Sequence, residues 1–142
     1  MLEDLRDRCN TVEECYEFML AYAAQGLAAD SGSASGEQLR HLLGRAVEAL
    51  SGLPVAYESA ISHDGLQPAD KHRAFLAVLE QDAKYALAAM ELVLTQPAIS
   101  SQLVDNLNAS IHLRSLLTDL FLVDEAAKLR QSAAEQKISA EI

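Results

Sequence analysis

The sequence is poor in the residues that build β-sheets. Only 5% of its 142 residues are aromatic, and it contains no Trp. Clusters of β-branched and aromatic side chains, which favour strands, are missing. Half of the residues are nevertheless hydrophobic, and most of these are Ala and Leu, which are favourable in helices. The composition therefore predicts an all-α fold, in a single domain over residues 1–142.

Basic residues are also scarce. The chain has 11 Lys and Arg against 21 Asp and Glu, and its formal net charge is −10. Proteins bind duplex nucleic acid mainly through Lys and Arg that neutralise phosphates, and anionic membrane surfaces attract basic clusters in the same way. Because no basic cluster is present, we predict binding neither to nucleic acid nor to membranes. An acidic surface would instead suit a basic protein partner.

The chain has only two cysteines, Cys9 and Cys15, and no Cys-x-x-Cys pair. This excludes a disulfide framework and a structural zinc site of the usual kind. The N-terminal sequence is charged, unlike the apolar core of a signal peptide. No apolar run approaches the roughly 20 residues that span a bilayer. Together these features predict a reduced, cytoplasmic protein.

Apolar residues recur at three- and four-residue steps along most of the chain, which is typical of amphipathic helices. The turn-forming residues at 30–36 predict a flexible linker, and the apolar-poor residues 130–142 predict a frayed tail. The pattern predicts an antiparallel four-helix bundle with an extra short helix and a helical C-terminal tail. The predicted helices cover residues 11–29, 36–51, 54–62, 68–96 and 100 onward, with a last helix restarting at Asp124.

Local signals predict where these helices begin and end. Thr11 and Glu14 match the capping box, so the first helix is expected to begin at Thr11. Gly52 should end the second helix, and Pro54 suits the first turn of the short one. The fourth long helix is expected to run without a break and to carry a polar face opposite its apolar one. That polar face consists of Asp105, Asn108, His112, Ser115 and Asp119.

Histidines could take part in metal sites. A di-iron site in a helical bundle needs Glu-x-x-His pairs, and none of the four histidines has a Glu three residues before it. His63, Asp64 and His72 could meet across the loop before the third long helix, and two His with a carboxylate can bind a metal. Their spacing is not diagnostic, and the alternative is a solvated loop beside an exposed helix residue. We predict no metal and no cofactor.

His41 is expected on the outer face of the second helix, in the string His41-Leu42-Leu43-Gly44-Arg45. This string resembles the phosphotransfer domains of bacterial phosphorelays, which are acidic helical bundles with an exposed His followed by a basic residue and then Gly. The resemblance extends from His41 to Leu50 and implies His41 as phosphoacceptor. The sequence departs from the pattern, because Gly44 stands at the basic position and Arg45 at the glycine position. The alternative is a surface His between Glu37 and Arg45.

Arg114 falls in the middle of the apolar face of the fourth predicted helix, between Ile111 and Leu117. An Arg there must reach solvent or find a carboxylate, because an unpaired buried charge is costly. One interpretation is a pocket near Arg114 that binds a small molecule or a metal. The other is an ion pair with Asp82 or a glutamate, within the bundle or across a dimer.

The third long helix is apolar over most of its circumference between residues 83 and 94. Tyr85, Ala89 and Leu92 lie away from its main stripe and need a cover, which we predict to be a second copy of the chain. No nucleophile motif or glycine-rich phosphate loop supports enzymatic activity. The leading hypothesis is a non-enzymatic protein-interaction module, such as an adaptor, a chaperone or a structural homodimer. Phosphotransfer by His41 and a pocket near Arg114 are the alternatives.

Overall fold

The computed structural model describes residues 2–141, and at positions 131, 132, 134 and 141 it describes the backbone alone. Over these residues the chain forms six helices and no strand, which confirms the all-α prediction. No helix in this range is both long enough and apolar enough to cross a membrane. The helices are α1 (Leu2–Ala23), α2 (Ala34–Ser51), α3 (Leu53–His63), α4 (Ala69–Leu94), α5 (Ser101–Ala109) and α6 (Ile111–Glu141).

The first helix begins well before the predicted capping box. Thr11 lies inside α1, where its hydroxyl donates a hydrogen bond of 2.9 Å to the carbonyl of Asp7, so it is not a cap. Leu5 and Cys9 are buried and extend the apolar stripe of α1 toward its N-terminus. The prediction was wrong because charged residues fill only the outer side of this segment, while its apolar positions keep the helical period.

The segment at 30–36, predicted to be a linker, overlaps the start of α2. The Ser33 hydroxyl oxygen accepts a hydrogen bond of 3.0 Å from the Gly36 N–H, which makes Ser33 the N-cap of a helix that begins at Ala34. Gly36 packs so closely against the carbonyl group of Asp30 that a Cβ would collide with it. The second helix therefore begins at Ala34 rather than at residue 36, while the flexibility of the segment stays a prediction.

Asp30 joins two loops, the one between α1 and α2 and the one between α4 and α5. Its buried carboxylate pairs with the guanidinium of Arg40 on α2 and accepts a hydrogen bond of 2.7 Å from the Ile99 N–H. Arg40 also donates to the carbonyls of Leu94 and Gln96, at 3.0 and 2.8 Å. One ion pair thus holds three chain segments together.

Ser101 extends this polar cluster to the end of α1. Its buried hydroxyl donates to the Tyr22 carbonyl at 2.7 Å and accepts from the Leu27 N–H at 2.9 Å. The Tyr22 hydroxyl in turn donates to the Ile99 carbonyl at 2.7 Å. We call this cluster the loop junction. It consists of Tyr22, Leu27, Asp30, Arg40, Ile99 and Ser101.

Signals further along the chain place α3 and α4 close to where they were predicted. Gly52 ends α2, and Pro54 lies in the first turn of α3. α4 covers most of the predicted third long helix, and Pro97 follows it. Buried side chains from α1 to α6 form one hydrophobic core.

The predicted fourth long helix is two helices that meet at Ser110. Its backbone leaves the helical conformation, with φ −61° and ψ 130°. The Ser110 hydroxyl oxygen then accepts from the His112 N–H at 3.3 Å, and its carbonyl accepts from the Arg114 N–H at 3.1 Å, so it opens α6. Serine favours such caps because its side chain satisfies N–H groups that lack a helical partner.

The break rotates the inner face of α6 by about half a turn relative to the face that a continuous helix would present. Ile111, predicted on the apolar face, is exposed, and so is Phe121. Asn108 and Asp119, predicted on the polar face, are buried. Both predictions were wrong because the helical period was carried across Ser110.

Candidate functional site

Three large apolar side chains lie exposed along one face of α4. Val78, Tyr85 and Leu92 expose 46%, 45% and 65% of their surface. They are spaced by seven residues, which is close to two helical turns, so they form a line along the helix. We call Val78, Tyr85 and Leu92 the α4 stripe. Of the predicted interface residues, Tyr85 and Leu92 belong to it, whereas Ala89 is half-buried and packs against the core.

α6 borders the α4 stripe. The ring of His112, near the start of α6, meets the ring of Tyr85 edge-on with their centroids 5.6 Å apart. Leu122 and Leu129 on α6 are also exposed, again seven residues apart. Leu122 shares a cavity wall with Phe75 of α4, so this side of α6 adjoins α4. The exposed apolar surface therefore involves two neighbouring helices.

Two carboxyl groups meet between α4 and α6. Asp119 is buried, and its Oδ2 has no hydrogen-bond partner among the described residues. Burial raises the pKa of the Asp119 carboxyl to about 7. A hydrogen bond to Asp82 and the negative charge of Asp82 raise it further. The Asp119 carboxyl can therefore hold a proton near neutral pH. We call Asp82, Tyr85, His112 and Asp119 the α4–α6 seam.

A cavity of about 320 Å³ opens where α3, the start of α4 and the middle of α6 converge. Phe75 and Leu122 contribute apolar walls from α4 and α6, and Ala126 lies one turn beyond Leu122. Tyr57 of α3 and His72 of α4 also line the cavity. We call this space the Tyr57–His72 cavity.

A hydrogen bond of 2.6 Å joins the Tyr57 hydroxyl to Nδ1 of His72, and the two rings meet edge-on at 5.7 Å. Burial raises the pKa of Tyr57 to about 12, so the hydroxyl stays protonated at neutral pH. Burial also lowers the pKa of His72, and a hydrogen bond to the backbone of Gln67 opposes that shift. The hydrogen bond between Tyr57 and His72 links α3 to α4.

The other members of the predicted metal site lie apart from His72. The Asp64 carboxylate accepts a hydrogen bond from the backbone N–H of Leu2, and Nδ1 of His63 lies 3.3 Å from the Ser59 carbonyl. Among the side chains that the structure describes, no group of three or more His, Cys, Asp and Glu is placed to hold a metal ion. His63, Asp64 and His72 thus each have a different partner, namely Ser59, Leu2 and Tyr57.

His41 lies on the exposed face of α2, as the sequence predicted, while Leu42 and Leu43 beside it are buried. A Cβ built on Gly44 would meet no atom within 4 Å, so the surface beside it is open. Arg45 is exposed on the same helix. His41 is thus accessible, and its role as phosphoacceptor stays a prediction.

Arg114 is exposed rather than enclosed, because the break at Ser110 turns it away from the core. It is not among the residues that line the Tyr57–His72 cavity. The two cysteines, in contrast, are both buried and free. Burial raises the pKa of Cys9 and of Cys15 to about 12, so neither is a ready nucleophile.

Sequence reasoning missed the polar pairs that only the packed helices bring together. Tyr57 was given no polar role, and His72 was assigned to a proposed metal site with His63 and Asp64. Asp119 was assigned to solvent because the break at Ser110 was not recognised. A Ser followed by a new run of apolar residues is a helix-start signal, and it could have indicated the correct face of α6.

Comparison with protein-family models, with curated proteins and with solved structures finds no match to this chain. Any functional conclusion therefore depends on the surfaces and cavities described above.

Proposed function

We propose that this protein is a non-enzymatic helical interaction module that acts as a homodimer. The observation that carries the proposal is the α4 stripe, which exposes Val78, Tyr85 and Leu92 in one line. Covering apolar surface is favourable by about 25 cal/mol per Å². Two-fold dimers are the commonest soluble assemblies. An antiparallel pairing of two α4 helices would place Tyr85 at the two-fold axis and Val78 opposite Leu92.

The scaffold that presents this stripe is, on this proposal, an antiparallel bundle of four helical rods. Residues near the start of one helix contact residues near the end of the neighbouring helix. Arg8 of α1 donates to the Ala49 carbonyl of α2 at 3.1 Å, and Arg40 of α2 donates to the Leu94 carbonyl of α4 at 3.0 Å. These contacts support opposite directions for α1 and α2 and for α2 and α4.

The last rod, formed by α5 and α6, closes the arrangement in the same way. Tyr85 in the second half of α4 meets His112 at the start of α6. Asn108 of α5 donates to the Met19 carbonyl of α1 at 3.1 Å. The α4 stripe then lies on the outside of the bundle, next to α6, where a partner could reach it.

A single charge in the stripe tests the dimer. We expect wild-type protein to sediment as a dimer at micromolar concentration. Leu92→Glu should shift it to monomer, because the carboxylate would be desolvated without a partner. Val55→Glu is the matched control, since Val55 is 71% exposed but lies on α3. Monomeric wild-type protein, or equal loss of dimer in both variants, would contradict the proposed interface.

A second candidate function is phosphotransfer by His41. The observation that favours it is the accessible imidazole next to the open surface at Gly44. Incubation with phospho-donor proteins of the native host should then give an acid-labile phosphate that His41→Gln abolishes and His63→Gln retains. Absence of labelling in the wild type, or labelling that persists in His41→Gln, would remove this candidate.

A further inference from the structure

The Tyr57–His72 cavity has the size and the walls of a small-molecule site. Its volume of about 320 Å³ lies at the lower end of the range of roughly 300–1,000 Å³ that ligand pockets occupy. Three helices contribute to the walls, and Tyr57 and His72 hold two of them together. Leu122 lines the cavity yet is 56% exposed, so the apolar wall is open to water.

The polar atoms of Tyr57 and His72 inside the cavity already have hydrogen-bond partners. The Tyr57 hydroxyl and Nδ1 of His72 satisfy each other, and the His72 ring also bonds to the backbone of Gln67. A ligand group placed between Phe75 and Leu122 therefore gains only by being apolar, because a polar group there would lose its water without a replacement.

The rim of the cavity carries a positive charge. Lys71 is the one residue with a permanent charge among the described residues that line the cavity. Its ammonium lies 3.9 Å from the carboxylate of Asp70, and both side chains are nearly four-fifths exposed. Such an exposed pair is weak, so Lys71 can exchange it for another anion. In a chain with a net charge of −10, a cation beside an open apolar cavity is a specific feature.

We propose that the Tyr57–His72 cavity binds a small amphipathic carboxylate, with its apolar body between Phe75 and Leu122 and its anionic end at Lys71. The cavity and the proposed dimer contact use different residues of α4, because Lys71, His72 and Phe75 line the cavity whereas the α4 stripe begins at Val78.

Calorimetric titration with decanoate, and with decanol as its uncharged counterpart, tests the site in the full chain. We expect saturable binding of decanoate below its micellar concentration. Lys71→Gln should weaken decanoate binding about two- to fivefold, the range of an exposed ion pair, and leave decanol binding unchanged. Lys84→Gln, which removes an exposed lysine further along α4, is the matched control. Leu92→Glu should bind decanoate like the wild type.

A second variant fills the cavity. Ala126 lies on its exposed side, so Ala126→Phe should keep the helix content and abolish binding of both ligands. Unchanged decanoate binding in Ala126→Phe would overturn the site. Equal effects of Lys71→Gln and Lys84→Gln would overturn the role of Lys71. No saturable binding, combined with a changed oligomeric state in Ala126→Phe, would mean that a second copy of the chain occupies the cavity instead.

Discussion

Two buried aspartates, one at the loop junction and one at the α4–α6 seam, lie in opposite electrostatic surroundings. The Arg40 guanidinium bonded to Asp30 lowers the pKa of that carboxyl, and the Ile99 N–H bonded to it acts in the same direction. Burial raises the pKa of Asp119 to about 7, and the hydrogen bond to Asp82 and the negative charge of Asp82 add to the shift. Buried carboxylates are usually paired. The loop junction follows this rule, and the seam does not.

The two clusters differ in whether their buried polar groups have hydrogen-bond partners. At the loop junction, each polar group described above has a partner within the chain, so this cluster needs no ligand to be stable. At the seam, Asp119 has an unsatisfied oxygen, and exposed apolar side chains lie beside it on α4. The surface that the proposed dimer would use lies on the α4 and α6 side of the molecule, on different residues from those of the loop junction.

The largest expected effect comes from removing the ion pair of the loop junction. Asp30→Ala should lower the free energy of unfolding by about 2–4 kcal/mol, because it leaves Arg40 without its carboxylate and the Ile99 N–H without an acceptor. Denaturant titration measures the loss. Asp105→Ala, at an exposed position on α5, should change it by less than about 0.5 kcal/mol. If residues 30–36 are a flexible linker, both variants will have equally small effects.

A methyl group added to the same region should have an intermediate effect. Gly36→Ala should cost about 1–3 kcal/mol, because its Cβ would collide with the Asp30 backbone. Gly44→Ala, within the same helix but with open space around it, should instead stabilise the protein by about 0.5–1 kcal/mol. Thermal unfolding of the two variants compares them directly. Changes of the same sign would argue against tight packing at the loop junction.

The smallest expected effect is on the pH dependence of the free energy of unfolding, through Asp119 at the α4–α6 seam. The Asp119 pKa is raised in the folded chain, to about 7, from about 3.9 in the unfolded chain. Its stabilising contribution is therefore fully present below about pH 4 and is lost as pH rises through about 7. The Asn side chain in Asp119→Asn does not ionise, so this variant should lose the slope, which we expect to be on the order of 1 kcal/mol because Asp82 is half-buried and remains partly solvated.

Asp30 provides the opposite case within the same titration. Its folded pKa is lowered, so its contribution is present above the ordinary carboxyl pKa and is lost as pH falls through the folded value. The Asp30→Ala variant should therefore lose the acid-side decline and keep the decline between about pH 4 and 7. A wild-type stability that is flat across that interval would show that the pKa of Asp119 is not raised in the folded chain.

The candidate site was only partly accessible from the sequence. Tyr85 and Leu92 could be singled out because an apolar residue off the main stripe of a helix is visible from spacing alone. Ala89 could not be separated from them, since a small residue packs equally well on either side of that boundary. The Tyr57–His72 cavity was out of reach, because its walls come from α3, α4 and α6 and no spacing within one helix reports on the others.

By itself the sequence determined the helical content and several helix ends. Gly52 and Pro54 act on their own backbone, so their effect does not depend on distant contacts. Tertiary structure decided the rest. It set the start of α1 at Leu2 and the interruption of the helix at Ser110. It also placed Asp119 inside and Arg114 outside. The physical reason is that periodicity defines a face only within an unbroken helix, whereas burial depends on which other helix covers that face.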